Sequence, residues 1–267
     1  MPQAISASTV SSHLNQLRQQ SPLTHVITND VVTGFTANVL LSLGASPAMI
    51  TAPEEAGDFA AIAAAVSINV GTITSQQAAV IRIAAQAAQK AGKPWVLDPV
   101  AVGVLSYRTA LCQELLQCQP TAIRGNASEI MALAGQAASG KGVDSANESD
   151  QAIDAAKFLA HKTGAIVAVT GAIDYITDGE QVISVTAGDP MMTRVTGTGC
   201  ALSAVVASFL GCAAPAERLN AVASACATMS IAGGRAAAQT KGPGSFASLF
   251  LDKLYQLDDI AIAEALA

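Results

Sequence analysis

From Leu23 to Val169 the chain alternates short aliphatic and β-branched runs with longer alanine-rich stretches. The runs Leu23–Thr28, Val66–Val70, Trp95–Leu97, Ala122–Arg124 and Ile166–Val169 are nearly continuous in hydrophobicity, as strands buried on both faces are. The stretches between them carry helical spacing, at Gly34–Leu43, Ser75–Lys90, Tyr107–Leu116, Ala127–Ala134 and Ser149–His161. Strand then helix, repeated, predicts an α/β fold with a mostly parallel sheet covered by helices on both faces. Asp174–Thr177 and Val182–Val185 flank Asp178-Gly179, which predicts an antiparallel hairpin at the sheet edge. Beyond Thr198 the pattern is helical, at Ala201–Phe209, Ala216–Ala237 and Ser245–Ala265. Gly135 to Asn147 reads as the one long polar loop, and no linker divides the chain, so residues 1–267 are expected to form a single domain.

Composition narrows the function classes. Charged residues make up 13% of the chain, against roughly 25% in ordinary soluble domains. So little polar material predicts apolar surface buried against other copies, hence a homo-oligomer. The net charge of -6 and the lack of any basic cluster exclude a nucleic-acid partner. Ala201–Ala214, the most apolar stretch, falls short of the roughly 20 residues a membrane span needs, and Ser203 and Ser208 interrupt it. Met1–Gln20 is polar and holds no signal-peptide core. The five cysteines are odd in number and irregularly spaced, which predicts reduced thiols and a cytoplasmic protein.

Ligands of open α/β sheets bind beyond the carboxyl ends of the strands, and four constellations fall there. Val195-Thr196-Gly197-Thr198-Gly199-Cys200 is a glycine turn opening a helix at about Cys200. Free amides at such a start attract an anion, and their field is expected to lower the pKa of the Cys200 thiol. A plain glycine cap with a buried cysteine fits that spacing equally well. Asp98 follows the run Trp95-Val96-Leu97 and precedes Pro99; it either caps a turn or holds Mg²⁺ through water. In Arg124-Gly125-Asn126-Ala127-Ser128-Glu129, Asn126 and Glu129 fit a reciprocal helix cap, whereas Arg124 offers donors to phosphate oxygens. Thr170 and Gly171 end the fifth run and carry little alone. Converging on one sheet edge, carboxylates, an arginine and an anion-binding helix start are parts that phosphoryl transfer needs. No P-loop ending in Gly-Lys-Ser/Thr is present. Of the histidines, His13 reads as a solvated residue of a polar amino-terminal helix, and His25 as a hydrogen-bonded structural residue of an apolar strand.

These motifs, in this order, resemble the hydroxyethylthiazole kinase family of the ribokinase-like superfamily, over about Pro22 to Leu254. The likeness runs through Thr28-Asn29-Asp30-Val31-Val32, Gly44-Ala45-Ser46-Pro47-Ala48-Met49, Ile68-Asn69-Val70-Gly71-Thr72 and Leu97-Asp98-Pro99-Val100. It continues through Arg124–Ile130, Val169-Thr170-Gly171 and Gly197-Thr198-Gly199-Cys200-Ala201-Leu202. The resemblance implies a ribokinase-like three-layer α/β/α fold, ATP as co-substrate, Mg²⁺, and 4-methyl-5-(2-hydroxyethyl)thiazole as acceptor. It also implies a homotrimer with the thiazole site between subunits. It assigns Met49, Gly197 and Asn29 to the thiazole, Arg124 and Thr170 to ATP, Asp98 and Glu129 to the metal and phosphates, and Cys200 to catalysis. Most ribokinase-like kinases carry Asp where this chain has Cys200. That difference argues against a kinase for another small alcohol such as hydroxymethylpyrimidine. The joint presence of Asp98, Arg124, Glu129 and Cys200 argues against a non-catalytic thiazole- or thiamin-binding protein.

Overall fold

The computed structural model describes residues 2–136 and 145–267, so part of the loop expected between Gly135 and Asn147 lies outside the described residues. The chain opens with β1 (Gln3–Ala4), α1 (Ala7–Gln20), β2 (Leu23–Ile27), α2 (Thr33–Leu43), β3 (Ser46–Ala48) and α3 (Pro53–Ile62). There follow β4 (Ala65–Asn69), α4 (Ser75–Lys90), β5 (Trp95–Asp98), α5 (Ser106–Leu115), β6 (Ala122–Asn126) and α6 (Ala127–Leu133). Next come α7 (Ser145–Thr163), β7 (Ile166–Thr170) and the hairpin β8 (Asp174–Thr177) and β9 (Val182–Val185). The last third is helical: α8 (Thr198–Cys212), α9 (Arg218–Ala237), α10 (Pro243–Gln256) and α11 (Asp259–Ala265).

The strands form a nine-stranded sheet in the order β1-β9-β8-β7-β6-β5-β4-β2-β3. Pairing is parallel from β3 through β7 and antiparallel at β7–β8 and β8–β9. The expected hairpin is present, but it is not the edge, because β1 adds beyond it in parallel to β9. Successive strand side chains point to opposite faces. Val26, Ala65, Val96, Ala122 and Ala168 accordingly enter the core under α1, α2 and α8–α11. Ile27, Val66, Leu97, Ile123 and Val169 enter the second core, under α3–α7. The result is a three-layer α/β/α arrangement.

Helix α8 decides where the site lies. All ten residues from Ala201 to Leu210 are buried, as in a helix apolar all round, and it packs across β2, β4 and β5. Its two internal serines are satisfied in place. Ser208 Oγ lies 3.1 Å from Ala204 O and 2.9 Å from Thr24 Oγ1, and Ser203 Oγ donates to Asp98. No described helix is long and apolar enough to cross a membrane.

Several expectations are corrected. His13 is buried on the inner side of α1 with Leu14 and Leu17, its Nδ1 2.9 Å from Thr9 O, rather than solvated. His25 is structural as expected: Nε2 lies 2.9 Å from Ile50 O, and burial pushes its pKa down. The expected helix from Ser245 to Ala265 is two helices. Asp258 caps α11 by accepting from Ala261 N at 2.8 Å, and Arg18 donates to the freed carbonyls of Leu257 and Leu254 at 2.6 and 3.1 Å. An aspartate serves better as a cap than inside a helix. β3 and α3 were not anticipated. Pro53 at the first helical position with Glu54 and Glu55 behind it was the available signal for α3.

Candidate active site

The parallel strands end on one edge of the sheet, and the polar residues stand at those ends. Asn69 closes β4 beside Asp98 at the end of β5, in direct register. Arg124 lies on β6, and Asn126 at its end pairs with Thr170 of β7. The start of α8 faces them all.

Asp98 is fully buried. Its Oδ2 accepts from Asn69 Nδ2 at 2.6 Å and from Ser203 Oγ at 2.8 Å, with Arg124 Nη1 3.9 Å away. Its Oδ1 is buried without a hydrogen-bond partner. Burial pushes this carboxyl up to about 6, opposed by the Arg124 charge and by the Ser203 and Asn69 hydrogen bonds, while Glu129 pushes the same way as burial. Arg124 Nη2 donates to Thr170 Oγ1 at 2.5 Å. The guanidinium crosses the backbone of Gly199 so closely that a Cβ there would stand 2.9 Å from Nη1. The second glycine of the turn thus leaves the space that the guanidinium fills.

Glu129 has structural duties. Its Oε2 accepts from Asn126 N at 2.9 Å, completing the expected reciprocal cap of α6, and its Oε1 accepts from Ala101 N at 3.0 Å. The second bond clamps the loop that follows Asp98. Among the described residues no group of three or more His, Cys, Asp or Glu side chains gathers as a cage for a metal ion.

Gly197 is the amino-terminal cap of α8, at φ +95°, and the helix starts at Thr198 rather than at Cys200. A Cβ at Gly197 would stand 2.7 Å from Val32 Cγ1 and 3.2 Å from Phe35. Both the left-handed backbone and the contact with residues 29–35 therefore demand glycine. Cys200 lies in the first turn, half-buried, and its Sγ accepts from Asn29 Nδ2 at 3.4 Å. The expectation of a thiol with a lowered pKa does not hold. Burial pushes the thiol up and the Asp98 charge adds to it, against Asn69, Asn29 and Arg124. Desolvation of the thiolate is the largest of these influences.

The Arg124 side opens into a cavity of about 520 Å³, lined among others by Thr170, Asp174, Met192, Thr198 and Ser230. This volume lies within the usual range for small-ligand sites. The wall carrying Met192 rests on α9, where a Cβ at Gly233 would collide with the Met192 sulfur. Asn29 joins Cys200 to Asn69, and Asn69 in turn to Asp98. Met49 is half-buried just beyond edge strand β3, packed against the same core as α2 and α8.

Sequence reading missed Asn69, Ser203, Asp174 and Ser230. Asn69 ends β4 as Asp98 ends β5, so the same rule could have found it. Asp174, buried at the start of β8, accepts from Gly171 N at 3.0 Å and Ser230 Oγ at 3.4 Å. The two serines sit inside apolar helices and gave no signal.

The model of the "Hydroxyethylthiazole kinase family" matches residues 14–259. A hydroxyethylthiazole kinase of Tolumonas auensis is 73% identical over the full length of both chains. The solved structure of the hydroxyethylthiazole kinase protein from Pyrococcus horikoshii OT3 superposes with a TM-score of 0.88 at 37% identity, covering 96% of each chain. A ribokinase-like superfamily protein from Enterococcus faecalis shares the fold at a TM-score of 0.68 and 13% identity, covering 96% of each chain. Match to the family model, identity over the whole length and shared fold together place the chain in the hydroxyethylthiazole kinase family.

Proposed function

We propose that this chain, as one kinase domain over residues 1–267, transfers the terminal phosphoryl group of ATP to the hydroxyl of 4-methyl-5-(2-hydroxyethyl)thiazole, for thiamin salvage. Family membership supports the substrates. The residue roles rest on the cluster at the strand ends, where Arg124 and Thr170 line the cavity and Cys200, in the first turn of α8, feels the charges of both Asp98 and Arg124.

ATP fits the cavity side, where Arg124 and the start of α8 offer donors to its phosphates. The acceptor takes the Cys200 side, lined by Gly197 and the segment around Asn29. The O–P bond to ADP breaks as the bond to the acceptor oxygen forms, and Cys200 Sγ faces the departing hydroxyl proton. Such a loose transfer leans on positioning and charge more than on basicity. Asp98 and Glu129 would hold Mg²⁺ through water, and the buried, unpartnered Asp98 Oδ1 fits that task. When bound, Mg²⁺ neutralises phosphate charge.

A homotrimer with a shared thiazole site belongs to this reading. Val31, two residues from Asn29, is 64% exposed, and Met49 lies just past the sheet-edge strand, where a neighbour can reach it. A cytoplasmic location, which suits five unpaired thiols, belongs to it as well.

A coupled assay of ADP formation with ATP and Mg²⁺ tests the activity, with the thiazole and hydroxymethylpyrimidine as parallel acceptors. Thiazole-dependent turnover is expected, and its absence in folded protein, or preference for the pyrimidine, would reject the reading. Light scattering is expected to give a trimer at micromolar concentration; a fully active monomer would reject the shared site.

A further inference from the structure

Two buried asparagines lie between the Cys200 thiol and the Asp98 carboxylate, and neither amide is free to turn over. Asn69 Oδ1 accepts from the backbone N–H of Gly71 at 2.9 Å, and a backbone N–H can only donate. This holds the oxygen toward Gly71 and turns Nδ2 to Asp98 Oδ2, 2.6 Å away. Asn29 is held in the same way, because its Oδ1 accepts from Val31 N at 3.2 Å. Its Nδ2 therefore spends one hydrogen on Asn69 Oδ1, at 3.0 Å, and the other on Cys200 Sγ, at 3.4 Å. The ambiguity that usually attends amide side chains is removed at both residues by backbone donors.

The consequence falls on the sulfur. Facing an N–H donor, Sγ acts as acceptor on that side, so any proton it carries points elsewhere. The two amides also meet unusually closely. A Cβ at residue 71 would stand 2.9 Å from Asn29 Cβ, from Asn29 Nδ2 and from Asn69 Oδ1, so the pair exists because Gly71 has no side chain. Asn29 and Asn69 are 6% and 2% exposed, so water does not compete for these bonds.

We propose that Asn69, locked in place over Gly71, is a positioning residue for the transfer: through Asn29 it holds Cys200 Sγ as an acceptor turned toward the incoming hydroxyl. The inference rests on the role assigned above to Cys200. Asp98 anchors the far end of the chain, so the thiol and the carboxylate are fixed relative to one another by two side chains rather than by the backbone alone. Asn69 touches neither substrate, and its effect is expected on turnover and not on binding.

Two variants of opposite kind test this. Asn69→Ser withdraws the amide, whereas Gly71→Ala keeps every polar atom and forces the two amides apart. Either variant, folded by its circular dichroism, should lose about tenfold in kcat, the worth of one well-placed hydrogen bond. For Asn69→Ser the KM values for thiazole and ATP should stay within about threefold of the parent. The same substitutions are then made in Cys200→Ala. Because Asn69 acts through the thiol, the loss should nearly vanish in that background. A full, additive loss in Cys200→Ala would overturn the proposal, as would parental kcat in either folded variant. For Asn69→Ser, a fall expressed wholly in KM would overturn it too. Failure of the Cys200 reading looks different, since Cys200→Ala would then itself turn over at the parental rate.

Discussion

Cys200→Ser is expected to lose about 10²-fold in turnover at saturating thiazole, while Cys200→Asp keeps or exceeds the parental rate. General-base help is worth about 10²–10⁴-fold, and the loose transition state of phosphoryl transfer puts this enzyme at the low end. A serine hydroxyl is a far weaker acid than a thiol, so it supplies no anion to take the proton at accessible pH; the serine variant keeps the shape and loses the chemistry. A carboxyl group ordinarily titrates near about 4, and even a rise of roughly two units on burial leaves it mostly ionised at pH 7. The parent starts from the opposite condition. Burial and the Asp98 charge hold its thiol above the usual cysteine value, so most of it is protonated near neutral pH. Parental kcat should therefore climb as pH rises toward that raised value, and Cys200→Asp should flatten the climb over pH 7–9. Rates measured at saturating thiazole and ATP across that range decide it. A serine variant as fast as the parent, beside a dead aspartate variant, would reduce Cys200 to a packing residue.

Arg124→Ala is expected to cost about ten- to a hundredfold in kcat/KM for ATP while thiazole affinity changes little. A hydrogen bond to a charged group is worth about 1.5–3 kcal/mol, and each 1.4 kcal/mol is tenfold. The guanidinium is held over Gly199 by Thr170 and faces the cavity, so it is oriented before any phosphate arrives. Its removal also strips Asp98 of the opposite charge that opposes burial, which should lower kcat beyond the loss of binding. Arg124→Lys should fall between, since an ammonium restores charge without the planar fork. Unchanged kcat and unchanged KM for ATP in the alanine variant would take Arg124 out of the site.

Much of this was legible before the fold. Continuous apolar runs bounded by helical stretches set the parallel sheet, and Asp178-Gly179 set the hairpin, because both signals are local. Strand-end logic brought Asp98, Arg124 and Thr170 to one edge, and the glycine turn brought Cys200 there. Short elements escaped: β3 has three residues, Ser46–Ala48, too few for any periodicity to register.

Other properties depend on neighbours distant in the chain. The Cys200 thiol rises because burial and Asp98 outweigh Asn69, Asn29 and Arg124, and these influences arise only when the sheet and helix pack together. His13 is buried although its helix is polar, because α1 packs on α8 and α9. Glu129 serves the backbone of Ala101 as well as its own helix cap, a contact spanning 28 residues. The Asn29–Asn69 pair joins residues 40 apart over a glycine. Sequence determines periodicity, caps and turns because these are settled within a few residues of backbone. Desolvation, paired amides and the orientation of a thiol are properties of assembled space, and only the tertiary structure decided them.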